Sequence, residues 1–72
     1  MSSEIRALDV VALTEDLPAE GLLRGQVGTV VESLSRDVWE VEFVDERGAT
    51  YATLPLRSDQ LMVLRHHPVE AV

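Results

Sequence analysis

The alternation of apolar and polar positions is cleanest in Trp39-Glu40-Val41-Glu42-Phe43-Val44, where Trp39, Val41 and Phe43 share one face and Glu40 and Glu42 the other. That period of two predicts a half-buried β-strand with Trp39 and Phe43 as core anchors. Upstream, Leu8–Leu13 (Leu-Asp-Val-Val-Ala-Leu) predicts a first strand apolar enough to be buried on both faces for part of its length. Gly28 to Leu34 predicts a second strand. Its adjacent Val30 and Val31 both call for burial, which strict alternation forbids, so a β-bulge or a bent strand is expected there. Thr50 to Leu54 predicts a fourth strand, with Ala52 and Leu54 inward, Tyr51 and Thr53 outward, and Pro55 ending the ladder. Leu61 to Leu64 predicts a short fifth strand that closes against the first. The expected fold is all-β: a small five-stranded antiparallel barrel.

The connections carry their own signals. Thr14 to Gly25 reads as one long loop restrained by Pro18, with Gly21 and Gly25 as positive-φ positions. Leu17, Leu22 and Leu23 are expected to fold it back over the core. A short helix from Pro18 to Leu23 competes with that reading, but Gly21 opposes it. Ser35-Arg36-Asp37 predicts one hairpin turn and Asp45-Glu46-Arg47-Gly48 the next, with Gly48 left-handed. Arg57-Ser58-Asp59-Gln60 predicts a single helical turn capped by Ser58. One domain over residues 8–64 is expected, flanked by a flexible N-terminus (1–7) and a flexible C-terminal tail (65–72).

Composition narrows the function classes. The 72 residues hold 13 acidic side chains against six arginines and no lysine, a formal charge of −7. Such a field repels phosphate backbones and argues against nucleic acid as a partner. No apolar run is long enough for a membrane span, and Met1-Ser2-Ser3-Glu4 lacks the regions of a secretory signal. A cytoplasmic location is therefore expected. The absence of cysteine removes disulfides and thiolate metal ligands.

No catalytic constellation emerges. The serines at 33, 35 and 58 have no nearby histidine, and none lies in a nucleophile-elbow context. Gly21, Gly25 and Gly28 fit neither phosphate-binding pattern; a turn explains Gly25, and a close approach of strands explains Gly28. The adjacent His66 and His67 point opposite ways in an extended chain and cannot chelate one ion. Glu40 and Glu42 project together about 7 Å apart, a spacing open to acid–base work or a hard cation, but with no apolar pocket beside them a solvated outer face explains them better. No enzyme activity, metal or cofactor is expected.

The order of elements resembles an SH3-like barrel. Asp9–Leu13, Asp16-Leu17-Pro18, Gly21-Leu22, Arg24–Glu32, Glu40–Asp45 and Thr50-Tyr51-Ala52 resemble a group of short bacterial proteins that form a domain family of unknown function. The match runs over roughly residues 8–64 and implies an SH3-like fold without an assigned activity. Arg24–Glu32 alone is also similar to KOW-type barrels and to the barrels of nitrile hydratase β subunits and electron-transport accessory proteins. The RNA-binding KOW relatives use basic residues, whereas here the corresponding strands carry Glu32, Glu40 and Glu42.

In SH3-like barrels the first long loop and the face near the third and fourth strands form a ligand groove. On that resemblance, Glu15, Asp16, Glu40, Glu42 and Tyr51 are the expected partner-binding residues. The expected function is a non-catalytic module that binds another protein, a basic one suiting its acidic surface, as an inhibitor, an immunity-like protein or an accessory subunit. The alternative is a self-assembling module, a homo-oligomer joined through Val38, Val44 or the last strand.

Overall fold

The structure is a computed structural model and describes residues 5–68. Five antiparallel strands form one sheet: β1 (Val10–Leu13), β2 (Val27–Ser35), β3 (Val38–Val44), β4 (Thr50–Arg57) and β5 (Leu61–Val63), in the order β4-β3-β2-β1-β5. Among the described residues the only helical pieces are two 3-10 turns, Pro18–Glu20 and Ser58–Gln60. Residues 1–4 of the expected flexible N-terminus and 69–72 of the expected C-terminal tail lie outside the described residues.

The expected strand order and the helical turn before the last strand are both present, as in the SH3-like layout. The sheet is open rather than closed into a barrel, because no strand pairing joins β4 to β5. It is nonetheless curled, and the chain itself forces this. Four inter-strand steps would hold the edges of a flat sheet about 19 Å apart. The link from Arg57 to Leu61 spans roughly 14 Å at full extension, and less when coiled as a 3-10 turn. The edges are therefore drawn together at one end. Val11, Leu13, Val30, Val41, Phe43 and Leu56 fill the concave side, joined by Leu22 from the long loop and Leu61 from β5.

The loop between β1 and β2 settles the competition between loop and helix in favour of a single turn. Pro18 opens it, where a missing N–H costs nothing, and Gly21 ends it at φ 73°. Leu17 and Leu22 exchange backbone hydrogen bonds across that turn at 2.8 and 3.1 Å. This drives Leu22 to 1% exposure, while Leu17 packs partly against the core. Leu23, expected to join them, is exposed.

Several strand boundaries move for local reasons. β1 begins at Val10 rather than Leu8, because Leu8 lies at φ 75°. β4 runs through Pro55 to Arg57 instead of stopping at Leu54. As an edge strand it needs no ladder donor on its free side, so proline is tolerated there. The expected bulge at Val30-Val31 is present: Val30 opposes Val41 and Glu32 opposes Glu40, leaving Val31 extra and exposed. A second register shift between Ser33 and Ser35 leaves Leu34 extra and exposed as well.

Ser58 is not the cap of the second turn. Arg57 occupies that position, and its N–H donates to the Gln60 side-chain oxygen at 2.8 Å. The Ser58 hydroxyl instead accepts from the Trp39 indole N–H at 3.2 Å. Trp39 thus packs at the rim of the core with its polar atom satisfied, while Phe43 is fully buried.

Gly28 is where the curl is tightest. A Cβ there would lie 2.8 Å from Val41 Cγ1, 2.9 Å from Phe43 Cε2 and 3.0 Å from the Glu42 carbonyl oxygen. Gly28→Ala is expected to destabilise the protein by about 1–3 kcal/mol through overpacking. An unchanged denaturant midpoint would show that β2 does not pass so closely over β3.

Candidate functional site

Alternation along β3 and its neighbours sorts the outer face of the sheet residue by residue. Glu42 opposes Thr29 on β2 and Thr53 on β4, and Glu40 opposes Glu32 and Pro55. Glu32, Glu40 and Glu42 therefore stand together on the convex side. Glu42 accepts a 2.6 Å hydrogen bond from the Thr50 hydroxyl. Glu32 and Glu40 have no side-chain hydrogen bond or ion pair among the described residues, where the one salt bridge is Arg57 to Asp59 at 3.0 Å. Like charges directly opposite one another across a sheet are destabilising. Arg36 lies in the turn that joins β2 to β3 and Arg57 ends β4 opposite Val38, but neither makes an ion pair with Glu32 or Glu40 among the described residues.

The other expected binding residues are placed elsewhere. Glu15 accepts from Gln60 Nε2 at 3.1 Å, and Asp16 accepts from the Arg24 backbone N–H at 2.8 Å. Both carboxylates tie down the long loop. Tyr51, expected to face outward beside Glu40 and Glu42, instead turns toward the core side. A register shift between Phe43 and Val44 makes it an extra residue in β4, with Ala52 opposite Phe43 and Thr50 opposite Val44. Its ring lies 6.3 Å from that of Phe43, and its hydroxyl accepts from Gln26 Nε2 at 2.9 Å. There it helps to line an open depression with Val44, Asp45, Glu46 and Arg47.

The sequence reading grouped Glu40 with Glu42 but missed Glu32. Pairing across the hairpin brings Glu32 in, and the bulge at Val31 sets its side. A strictly alternating β2 would give Glu32 the same inward face as Val30. No group of three or more His, Cys, Asp or Glu side chains is arranged to hold a metal ion among the described residues. No helix there is long and apolar enough to cross a membrane.

A curled five-stranded antiparallel sheet with an uncompensated carboxylate face describes a class of small β-domains. The model of a domain of unknown function, DUF4926, matches residues 7–63, and the chain belongs to that family. No curated protein and no solved structure matches the chain.

Gln60 holds the loop to the second 3-10 turn. It is buried; its side chain joins the Arg57 N–H to Glu15, and its carbonyl accepts from the Thr14 N–H at 3.0 Å. Gln60→Ala is expected to cost about 1–3 kcal/mol, because it leaves polar groups unpaired. Glu15→Gln should cost less, since an amide can still accept from Gln60. Equal losses in urea unfolding would assign the effect to the Glu15 charge instead.

Proposed function

We propose that this chain is a non-catalytic protein-binding module that receives a basic protein surface on its convex carboxylate face, in the manner of an inhibitor, an immunity-like protein or an accessory subunit. The observation that carries the reading is the direct opposition of Glu32 and Glu40, both without a cationic partner among the described residues. An arrangement that costs the free protein stability gains from a partner that neutralises it. The formal charge of −7 adds long-range attraction for a basic partner and raises its association rate at low salt.

The second reading is self-assembly, favoured by the exposure of Val44 and of Met62 in the last strand. Sedimentation separates the two: a concentration-independent monomer removes obligate assembly. For the favoured reading, replacing Glu32 and Glu40 together by Gln is expected to raise stability by about 0.2–1 kcal/mol while weakening partner capture. Immobilised wild-type protein is expected to retain a basic protein from its native lysate at low salt and release it at high salt. Capture of nothing at any salt, or equal capture by the double variant, rejects the carboxylate face as the binding surface.

A further inference from the structure

The convex face has a second half, and it is apolar. Val11 and Leu13 point into the core, so Val10 and Ala12 of β1 face outward. Ala12 opposes Val27 on one side and Met62 on the other. Val27 and Met62 are 47% and 54% exposed, yet Ala12 between them is buried, making a continuous apolar floor across β5, β1 and β2. Leu8 extends it. Leu8 is 79% exposed, its N–H donates to the Val30 carbonyl at 2.7 Å, and its φ of 75° is a strained conformation for a bulky side chain. An antiparallel sheet with a solvated face ordinarily alternates apolar-in with polar-out. Around β1 this one is apolar on both sides.

We infer that this outer face of β5-β1-β2 docks an amphipathic helix of a partner protein, with the helix's apolar stripe on Val10, Ala12, Val27 and Met62 and Lys or Arg along the flank beside Glu42 and Glu40. The inference rests on the proposed binding role and names the chemistry of the partner. Two observations select a helix. First, the unpaired backbone of the face lies at the outer edge of β5, whereas β1 and β2 are each paired on both sides, so its middle offers side chains and no free backbone groups. An extended peptide laid across it would leave its own N–H and C=O groups unpaired, whereas a helix satisfies them internally. Second, the floor from Met62 across Ala12 to Val27 spans two inter-strand steps, about 10 Å, which matches the diameter of a helix with its side chains. The carboxylates fix the charge: Thr29 is the single sheet position between Val10 and Glu42 across β2, so a helix seated on the floor brings its flank to the glutamates. A second copy of this chain would bring a further formal charge of −7 toward the glutamates rather than cations.

The test uses synthetic amphipathic helical peptides with a leucine stripe: one flanked by lysine, one flanked by glutamate, and one with the lysine sequence scrambled. Binding to the full chain is followed by fluorescence anisotropy, and its location by amide chemical-shift changes. The lysine-flanked peptide is expected to bind and to perturb Val10, Ala12, Val27 and Met62. The other two peptides should bind about tenfold or more weakly. Combining Val27→Thr with Met62→Gln, at exposed positions that leave the core intact, should weaken binding by about tenfold, the equivalent of one large apolar side chain left unburied. Equal affinity of that double variant overturns the apolar dock while leaving a charge-only carboxylate site standing. Failure of all three peptides, or shifts confined to β3 and β4, also overturns it. A wild-type dimer that Met62→Gln dissociates would assign the face to self-association and overturn it as well.

Discussion

The structure depends on a length mismatch. The two edge strands of a five-stranded sheet are consecutive in sequence, joined by three residues, and those residues cannot span a flat sheet. The sheet must curl, and what it curls around becomes the core. Gly28 is the position where β2 crosses Val41 and Phe43 too closely for any side chain. Gln60 fastens the connecting turn, bonding it to Glu15 and to the Thr14 backbone. Without cysteines to staple so small a domain, these close approaches, together with burial of Phe43, Leu13, Leu22 and Leu56, hold the edges together.

Curvature also explains the irregularities. A strand that follows a strongly curled path runs out of register with its neighbour, and extra residues absorb the difference. Val31, Leu34 and Tyr51 are three such residues, and all three side chains are exposed. The bulge at Val31 puts Glu32 opposite Glu40. The shift at Tyr51 turns its ring away from those glutamates and over Phe43. One device thus assembles the acidic face and removes the tyrosine expected on it.

Much of this was legible in the residues. Alternation in β3, left-handed Gly48, the crowding at Gly28 and the conflict between Val30 and Val31 all follow from local rules, and the structure agrees with each. The misses share a cause. A period-two reading assigns faces by counting, so one inserted residue reverses everything beyond it, as it did for Tyr51. Tolerance of Pro55 within β4 depends on that strand being an edge, a property of the assembled sheet. The roles of Glu15 and Asp16 as loop ties depend on Gln60 and Arg24, which lie 45 and 8 positions away in sequence. Nothing local to either carboxylate announces them.

The convex face joins the two halves of the argument. Its acidic part lies on β2 and β3, its apolar part on β5, β1 and the start of β2, and Thr29 lies where they meet. An apolar face of this kind would ordinarily favour pairing with itself. Here every copy carries a formal charge of −7, and repulsion between like-charged copies acts well before contact. The same charge that disfavours a second copy attracts a cationic helix. On the proposed reading, burial would supply most of the affinity and the glutamates would select the partner, which is the division of labour expected where a charged rim borders an apolar centre.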